Sequence, residues 1–303
     1  MGLKTKMKIL SADGIDIEYE TFGVSTDPAV LLVMGLGAQL IHWDTSFCEQ
    51  IAASGKYVIR FDNRDSGLSY KCEGSEVDIG ALLTAFFVGG DLPDVPYTLS
   101  DMANDAFGLL DVLEIEKAHV VGASLGGMIA QTMAIERPNR LLSLTSMMSM
   151  TGNPDNFEID DEAFALLLTP SPSSRSDYIE NAAAYEVWSS KKYFDLKRAK
   201  EVAAVTYDRC NYPDGVVRQL AAAVASGNRE SDLERLEIPT LVIHGRDDRL
   251  IGPSSGFRTA ELIPGSSLLL LSDMGHDMPR QLWPIIIGAL EVHFARIGKI
   301  EFG

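Results

Sequence analysis

Ser124 stands in Gly122-Ala123-Ser124-Leu125-Gly126, between an apolar run ending at Val121 and a stretch of helical spacing through Met128, Ile129, Thr132 and Met133. A serine hydroxyl is a weak nucleophile until a base takes its proton. The chemistry asks for a sharp strand-to-helix turn that lifts the hydroxyl clear of the sheet, and Gly122, Ala123, Gly126 and Gly127 keep bulk away from that turn. Candidate bases are His42, His119, His244, His276 and His293. Only His276, in Met274-Gly275-His276-Asp277, occupies a loop just after the last strand-like run, where its ring can reach an exposed serine. His119 adjoins a buried strand and His293 lies in the final helix, both structural positions.

The base in turn needs an acid to hold its tautomer and to stabilise the imidazolium. Asp247 and Asp248 both follow the run ending at Gly245; Asp248 is the preferred acid, with Asp247 as a turn or capping residue. A tetrahedral intermediate also needs donors aimed at its oxyanion. The backbone N–H of Leu125, at a helix start, is one. The other is Leu36 in Met34-Gly35-Leu36-Gly37, where glycines allow close backbone approach.

These residues must be carried by strands that end on one side of a sheet. Ile9-Leu10 and the alternating Ile15, Ile17 and Tyr19 flank Asp13-Gly14, which reads as a hairpin. Ala29–Met34, Lys56–Phe61, Ala118–Val121, Leu141–Leu144, Ile238–His244 and Ser267–Leu271 are apolar without alternation, the pattern of strands buried on both faces. Leu99 to Leu113 has helical spacing, with Thr98 and Asp101 as a start signal, and a last helix runs from about Pro284 to Ile297. From Thr151 to Asp232 strand-like runs are absent and Ala-rich helical stretches take over. The expected fold class is α/β: a mostly parallel, doubly wound sheet with a helical cap inserted before the last two strands. Residues 1–150 and 233–303 form its core, and residues 151–232 its cap.

Composition narrows the partners. With 26 Lys+Arg against 43 Asp+Glu, the formal charge of −17 repels phosphate backbones and anionic lipid, so neither nucleic acid nor a membrane surface is expected. No apolar stretch reaches the length of a membrane span, and the basic N-terminus is not followed by a signal-peptide core. Lys6 breaks the myristoylation pattern. Cys48, Cys72 and Cys210 are scattered, with no Cys/His ligand spacing, so no metal is expected and a reducing compartment suits them. The expectation is a cytoplasmic protein acting on a small molecule; association into a homo-oligomer is left open.

With Val33-Met34-Gly35-Leu36-Gly37, Phe61-Asp62-Asn63-Arg64-Asp65-Ser66-Gly67-Leu68-Ser69, the Ser124 elbow, Leu241–Gly245 with Asp248, and Met274-Gly275-His276, nearly the whole chain resembles the α/β-hydrolase superfamily. It looks most like the aclacinomycin methylesterase-like group. The order Ser124, Asp248, His276 is that of this fold. The resemblance implies a cofactor-free serine esterase with those three residues as its triad and Leu36 and Leu125 as its oxyanion donors. Two positions depart from the pattern. Met34 stands where many relatives carry a histidine that supports the oxyanion loop, and Asp65 stands where many carry glycine. Asp62, Arg64 and Asp65 are expected to form a buried ion-pair network under the loops.

Met34, Phe86, Phe87, Tyr185 and Trp188 are candidate substrate contacts, and the further cap aromatics and leucines Phe157, Phe164, Leu166, Leu167, Leu168 and Tyr193 equally suit packing of cap on core. An apolar pocket fits short-to-medium acyl or hydrophobic esters. A lactone of the acyl-homoserine type needs the same machinery, as does carbon–carbon bond hydrolysis, and a slow-turnover ligand receptor is the alternative from another class. Serine at the elbow disfavours dehalogenase and epoxide hydrolase chemistry, which in this fold uses aspartate there.

Overall fold

A computed structural model describes residues 5–10, 14–156, 158 and 160–296. Its centre is one sheet of strands β1 (Thr5–Leu10), β2 (Asp16–Phe22), β3 (Ala29–Val33), β4 (Tyr57–Phe61), β5 (Ala118–Ala123), β6 (Leu141–Met147), β7 (Thr240–Gly245) and β8 (Ser267–Leu271), in the order β1-β2-β4-β3-β5-β6-β7-β8. The first two strands are antiparallel to each other, β2 is antiparallel to β4, and every later pairing is parallel. The hairpin is therefore present; Asp13 of its expected turn lies outside the described residues, as do Ile297 at the end of the last helix and the cap candidate Phe157.

The unbroken apolar runs have a direct cause. Leu31 and Val33 of β3 face a core shared with helices α3 (Leu99–Val112) and α4 (Leu125–Glu136), whereas Val30 and Leu32 face α1 (Thr45–Ala53) and α11 (Trp283–Ala295). A strand covered by helices on both faces has no side left for polar residues. Each parallel pair needs a crossover, and the helices supply it.

Between β4 and α3 the chain makes one further helix, α2 (Ile79–Val88), where the sequence shows only an apolar segment before Gly89-Gly90. After β6 come α5 (Asp161–Leu167), α6 (Arg175–Asn181), α7 (Leu196–Arg209), α8 (Pro213–Ala225) and the short α9 (Glu230–Leu233), with no strand among the described residues before β7. Helix α10 (Pro253–Leu262) then joins β7 to β8. Among the described residues no helix is long and apolar enough to cross a membrane.

Candidate active site

Ser124 sits where β5 hands over to α4, with φ 55° and ψ −122°. Positive φ is costly for a residue with a β-carbon, so the surroundings must hold it. They do so through small residues. A β-carbon at Gly122 would overlap the carbonyl of Gly126, and one at Gly126 would overlap that of Val33. The Ser124 N–H donates to Met147 O at 2.9 Å, and Ser149 Oγ donates to Ser124 O at 2.8 Å. Strain at the serine is thus fixed from both sides of the turn.

His276 arrives on the loop after β8. Its Nε2 lies 2.9 Å from Ser124 Oγ, and its Nδ1 lies 2.8 Å from Asp248 Oδ2. With the proton on Nδ1, donated to the carboxylate, Nε2 is left to accept from the serine. Asp248 is 4% exposed, and its other oxygen accepts from the N–H groups of Leu250 and Ile251, both at 2.9 Å. Burial alone would raise this carboxyl. His276 beside it and the hydrogen bonds from His244 and His276 win, holding it at about 2. Asp248 is therefore a charged acceptor across the whole range in which a histidine titrates. Asp247, by contrast, is exposed.

Leu36 lies in a turn closed by the Ala38 N–H donating to Gly35 O at 3.2 Å. Gly37 takes φ +65°, as the third residue of a type II turn must. The turn passes directly over the serine: a β-carbon on Gly35 would stand 3.6 Å from Ser124 Oγ. In a trans peptide C=O and N–H point opposite ways. With Gly35 O turned back into the turn, the Leu36 N–H points out of it. Leu125 opens α4, whose first N–H groups have no acceptor inside the helix.

The turn after β3 is held by two further side chains. Asn63 Nδ2 donates to Met34 O at 2.8 Å, and the Gly37 N–H donates to Gln219 Oε1 of α8 at 2.8 Å. Sequence spacing could not couple residues 37 and 219, because only the fold brings α8 against the turn. The Met34 side chain itself, 7% exposed, packs in the core with Leu32 and Trp43 and not with the other substrate candidates. Those candidates lie on α2 and on the segment after α6, and Phe87 and Tyr185 are exposed. Phe86 and Phe87 meet edge to face at 4.9 Å, Phe87 reaches Phe164 of α5 at 5.9 Å, and Tyr185 stacks on Trp188 at 5.4 Å. The His276 N–H donates to Trp188 O at 2.6 Å, so the segment after α6 lies on the histidine loop.

Asp62, Arg64 and Asp65, expected in a buried ion-pair network under the loops, each enter an ion pair, with partners from three different helices. Asp62 pairs with Arg209 of α7 at 2.7 Å, Arg64 with Asp105 of α3 at 2.6 Å, and Asp65 with Arg218 of α8 at 2.8 Å. Both aspartates hold arginines of α7 and α8, and neither pairs with Arg64.

A doubly wound sheet with a Ser–His–Asp chain at the carboxyl edge of its strands is the architecture of the α/β hydrolases. Residues 28–279 match the alpha/beta hydrolase fold family, and the chain belongs to it. Rhodomycin D methylesterase of Streptomyces peucetius is 28% identical over 312 residues, spanning 94% of this chain and 97% of that one. A 2-hydroxy-6-oxononadienedioate/2-hydroxy-6-oxononatrienedioate hydrolase of Paraburkholderia xenovorans is 30% identical over 279 residues, spanning 89% of this chain and 88% of the relative. Among solved structures, the 2-hydroxy-6-oxo-6-phenylhexa-2,4-dienoate hydrolase of Rhodococcus sp. strain RHA1 shares the fold with a TM-score of 0.75 at 19% identity, over 97% of this chain and all of that one. The fold class and the likeness to the methylesterase group, both expected from the sequence, are borne out.

Proposed function

We propose that the chain is a carboxyl-ester hydrolase working through an acyl-enzyme on Ser124, with His276 as base and Asp248 as its orienting acid. The observation that carries this is the 2.9 Å approach of His276 Nε2 to Ser124 Oγ with a buried, charged Asp248 behind the ring. His276 takes the serine proton as Oγ attacks the ester carbonyl, and the N–H groups of Leu36 and Leu125 receive the oxyanion. The same imidazolium then protonates the leaving alcohol. Water, deprotonated by His276, releases the acid and restores the serine. The methylesterase relatives support an ester as the bond cleaved.

The aromatic candidates Phe86, Phe87, Phe164, Tyr185 and Trp188 favour short-to-medium acyl groups or a hydrophobic alcohol. The 30%-identical relative supports a second reading, hydrolysis of a carbon–carbon bond in a dienedioate. A dianion needs cations to receive it, and two cations of the surrounding loops are already engaged, Arg249 with Asp160 and Glu162 and Lys192 with Asp273. An ester is therefore the better fit.

The test is a panel of p-nitrophenyl esters of rising chain length, with methyl esters, acyl lactones and a dienedioate, run against Ser124→Ala. Ester turnover is expected in the wild type and a loss of at least about 10³-fold in the variant. Wild-type rates in Ser124→Ala would overturn the proposal, and a dienedioate turned over faster than every ester would favour the second reading.

A further inference from the structure

Gln219 lies on α8, far beyond the serine in sequence, yet it is 0% exposed and reaches two active-site loops. Its Oε1 accepts from the Gly37 N–H at 2.8 Å, and its Nε2 donates to Arg64 O at 2.6 Å. Val216, one turn earlier, stands against Gly37 as well: a β-carbon there would come within 2.8 Å of Val216 Cγ2. The Gly37 N–H belongs to the central peptide of the turn that carries Leu36. That peptide has two orientations differing by a flip, and they distinguish a type II from a type I turn. An acceptor fixed on α8 holds one of them. Flipping would leave the Gln219 carbonyl buried and without its donor, and the type II geometry is held against that loss.

We infer that Gln219 is a positioning residue for the oxyanion hole, acting through the Gly37 peptide on the Leu36 N–H. It holds from the cap the loop that many superfamily members support with a histidine at position 34. The inference rests on the proposed esterase reading. Its chemical content is that Gln219 acts on charge developed in the transition state and hardly on the ground-state ester, so it governs kcat and not KM.

Gln219→Met conserves volume and removes the acceptor. Gln219→Glu keeps an acceptor for Gly37 and loses the donor to Arg64. Both are compared with the wild type on one p-nitrophenyl ester that Ser124→Ala fails to turn over, and on inhibition by an alkyl trifluoromethyl ketone, which forms a serine-bound oxyanion. Gln219→Met is expected to lose about 10- to 100-fold in kcat, as displaced catalytic groups do, with KM within about threefold. The ketone is expected to weaken by the same factor as kcat/KM, and Gln219→Glu to recover most of the loss. A folded Gln219→Met with wild-type kcat, or one whose KM rises while ketone affinity holds, overturns the inference. If Gln219→Met does not fold, Gln219→Glu decides: a kcat near wild type supports the inference, and a fall of about 10-fold overturns it. Failure of the esterase reading shows separately, as Ser124-independent turnover in the wild type.

Discussion

Asp248 and Asp277 lie on neighbouring loops and are driven in opposite directions by their surroundings. Both are desolvated. Asp248 faces His276 and His244 and is held at about 2. Asp277 receives N–H groups from Ser190 at 3.0 Å and Gly275 at 3.2 Å, but these do not offset its burial, and its carboxyl is pushed up to about 6. A raised carboxyl has a definite consequence for stability. Between its unfolded value, 3.8, and its folded one the native state keeps a proton that the unfolded chain has released, so stability falls as pH rises through that window. Asn at this position keeps the Oδ1 acceptor for both N–H groups and cannot ionise. Asp277→Asn is expected to unfold at higher urea than the wild type at pH 8, by on the order of 2 kcal/mol, and at nearly the same urea at pH 4. A gain equal at both pH values would refute the assignment. Asp248 shows the complementary lesson about legibility: its place after β7 singled it out beside Asp247, but the amide groups of Leu250 and Ile251 that fix its carboxylate come from local folding.

At the scale of elements, what the sequence carried well was periodicity and chemistry with short range. The capping pair Thr98 and Asp101 forms as its spacing implies, each side chain accepting from the other's backbone N–H. The apolar runs became strands because two helical layers cover them. Helix α2 was not legible, since its apolar residues run nearly continuously and leave no polar face to reveal a helical period. The glycines of the elbow were read as keeping bulk from a strained turn, and the structure adds a second duty. Gly126 lets the start of α4 lie against the end of β3, which brings the Leu125 and Leu36 peptides to the same serine. Gly126→Ala would drive a β-carbon into the carbonyls of Val33 and Met34, backbone atoms that cannot turn aside. It is expected to destabilise the fold by about 2 kcal/mol or more in urea unfolding and to abolish most turnover. Gly288→Ala in α11 is the control, because a β-carbon there meets nothing within 4 Å. That substitution is expected to stabilise by up to about 1 kcal/mol and leave turnover unchanged. Equal losses in both variants would show that the elbow geometry is not the cause.

Across the whole molecule α8, which lies between β6 and β7 in the chain, is tied to the loop after β4. Asp65 is 1% exposed and accepts from Arg218 through both oxygens, at 2.8 and 3.0 Å, and also from Tyr97 Oη at 2.7 Å and the Cys72 N–H at 2.8 Å. Asp65 thus joins the loop after β4 to α8 through a buried charge and its partner. A buried pair contributes little over a well-packed apolar substitute, yet breaking one half leaves the other uncompensated. Arg218→Met is therefore expected to cost about 3–5 kcal/mol in urea unfolding. Asp65→Asn combined with Arg218→Met removes the stranded charge, while the introduced amide keeps an acceptor for the Cys72 N–H. The double variant is expected to recover at least about half of that loss. The positions are far apart in sequence but in contact, so the cycle must be non-additive if the pair is what ties α8 to the loop after β4. Additive losses would mean that Arg218 acts through its packing against Tyr212, over whose ring its guanidinium lies at 5.4 Å, and not through the charge on Asp65.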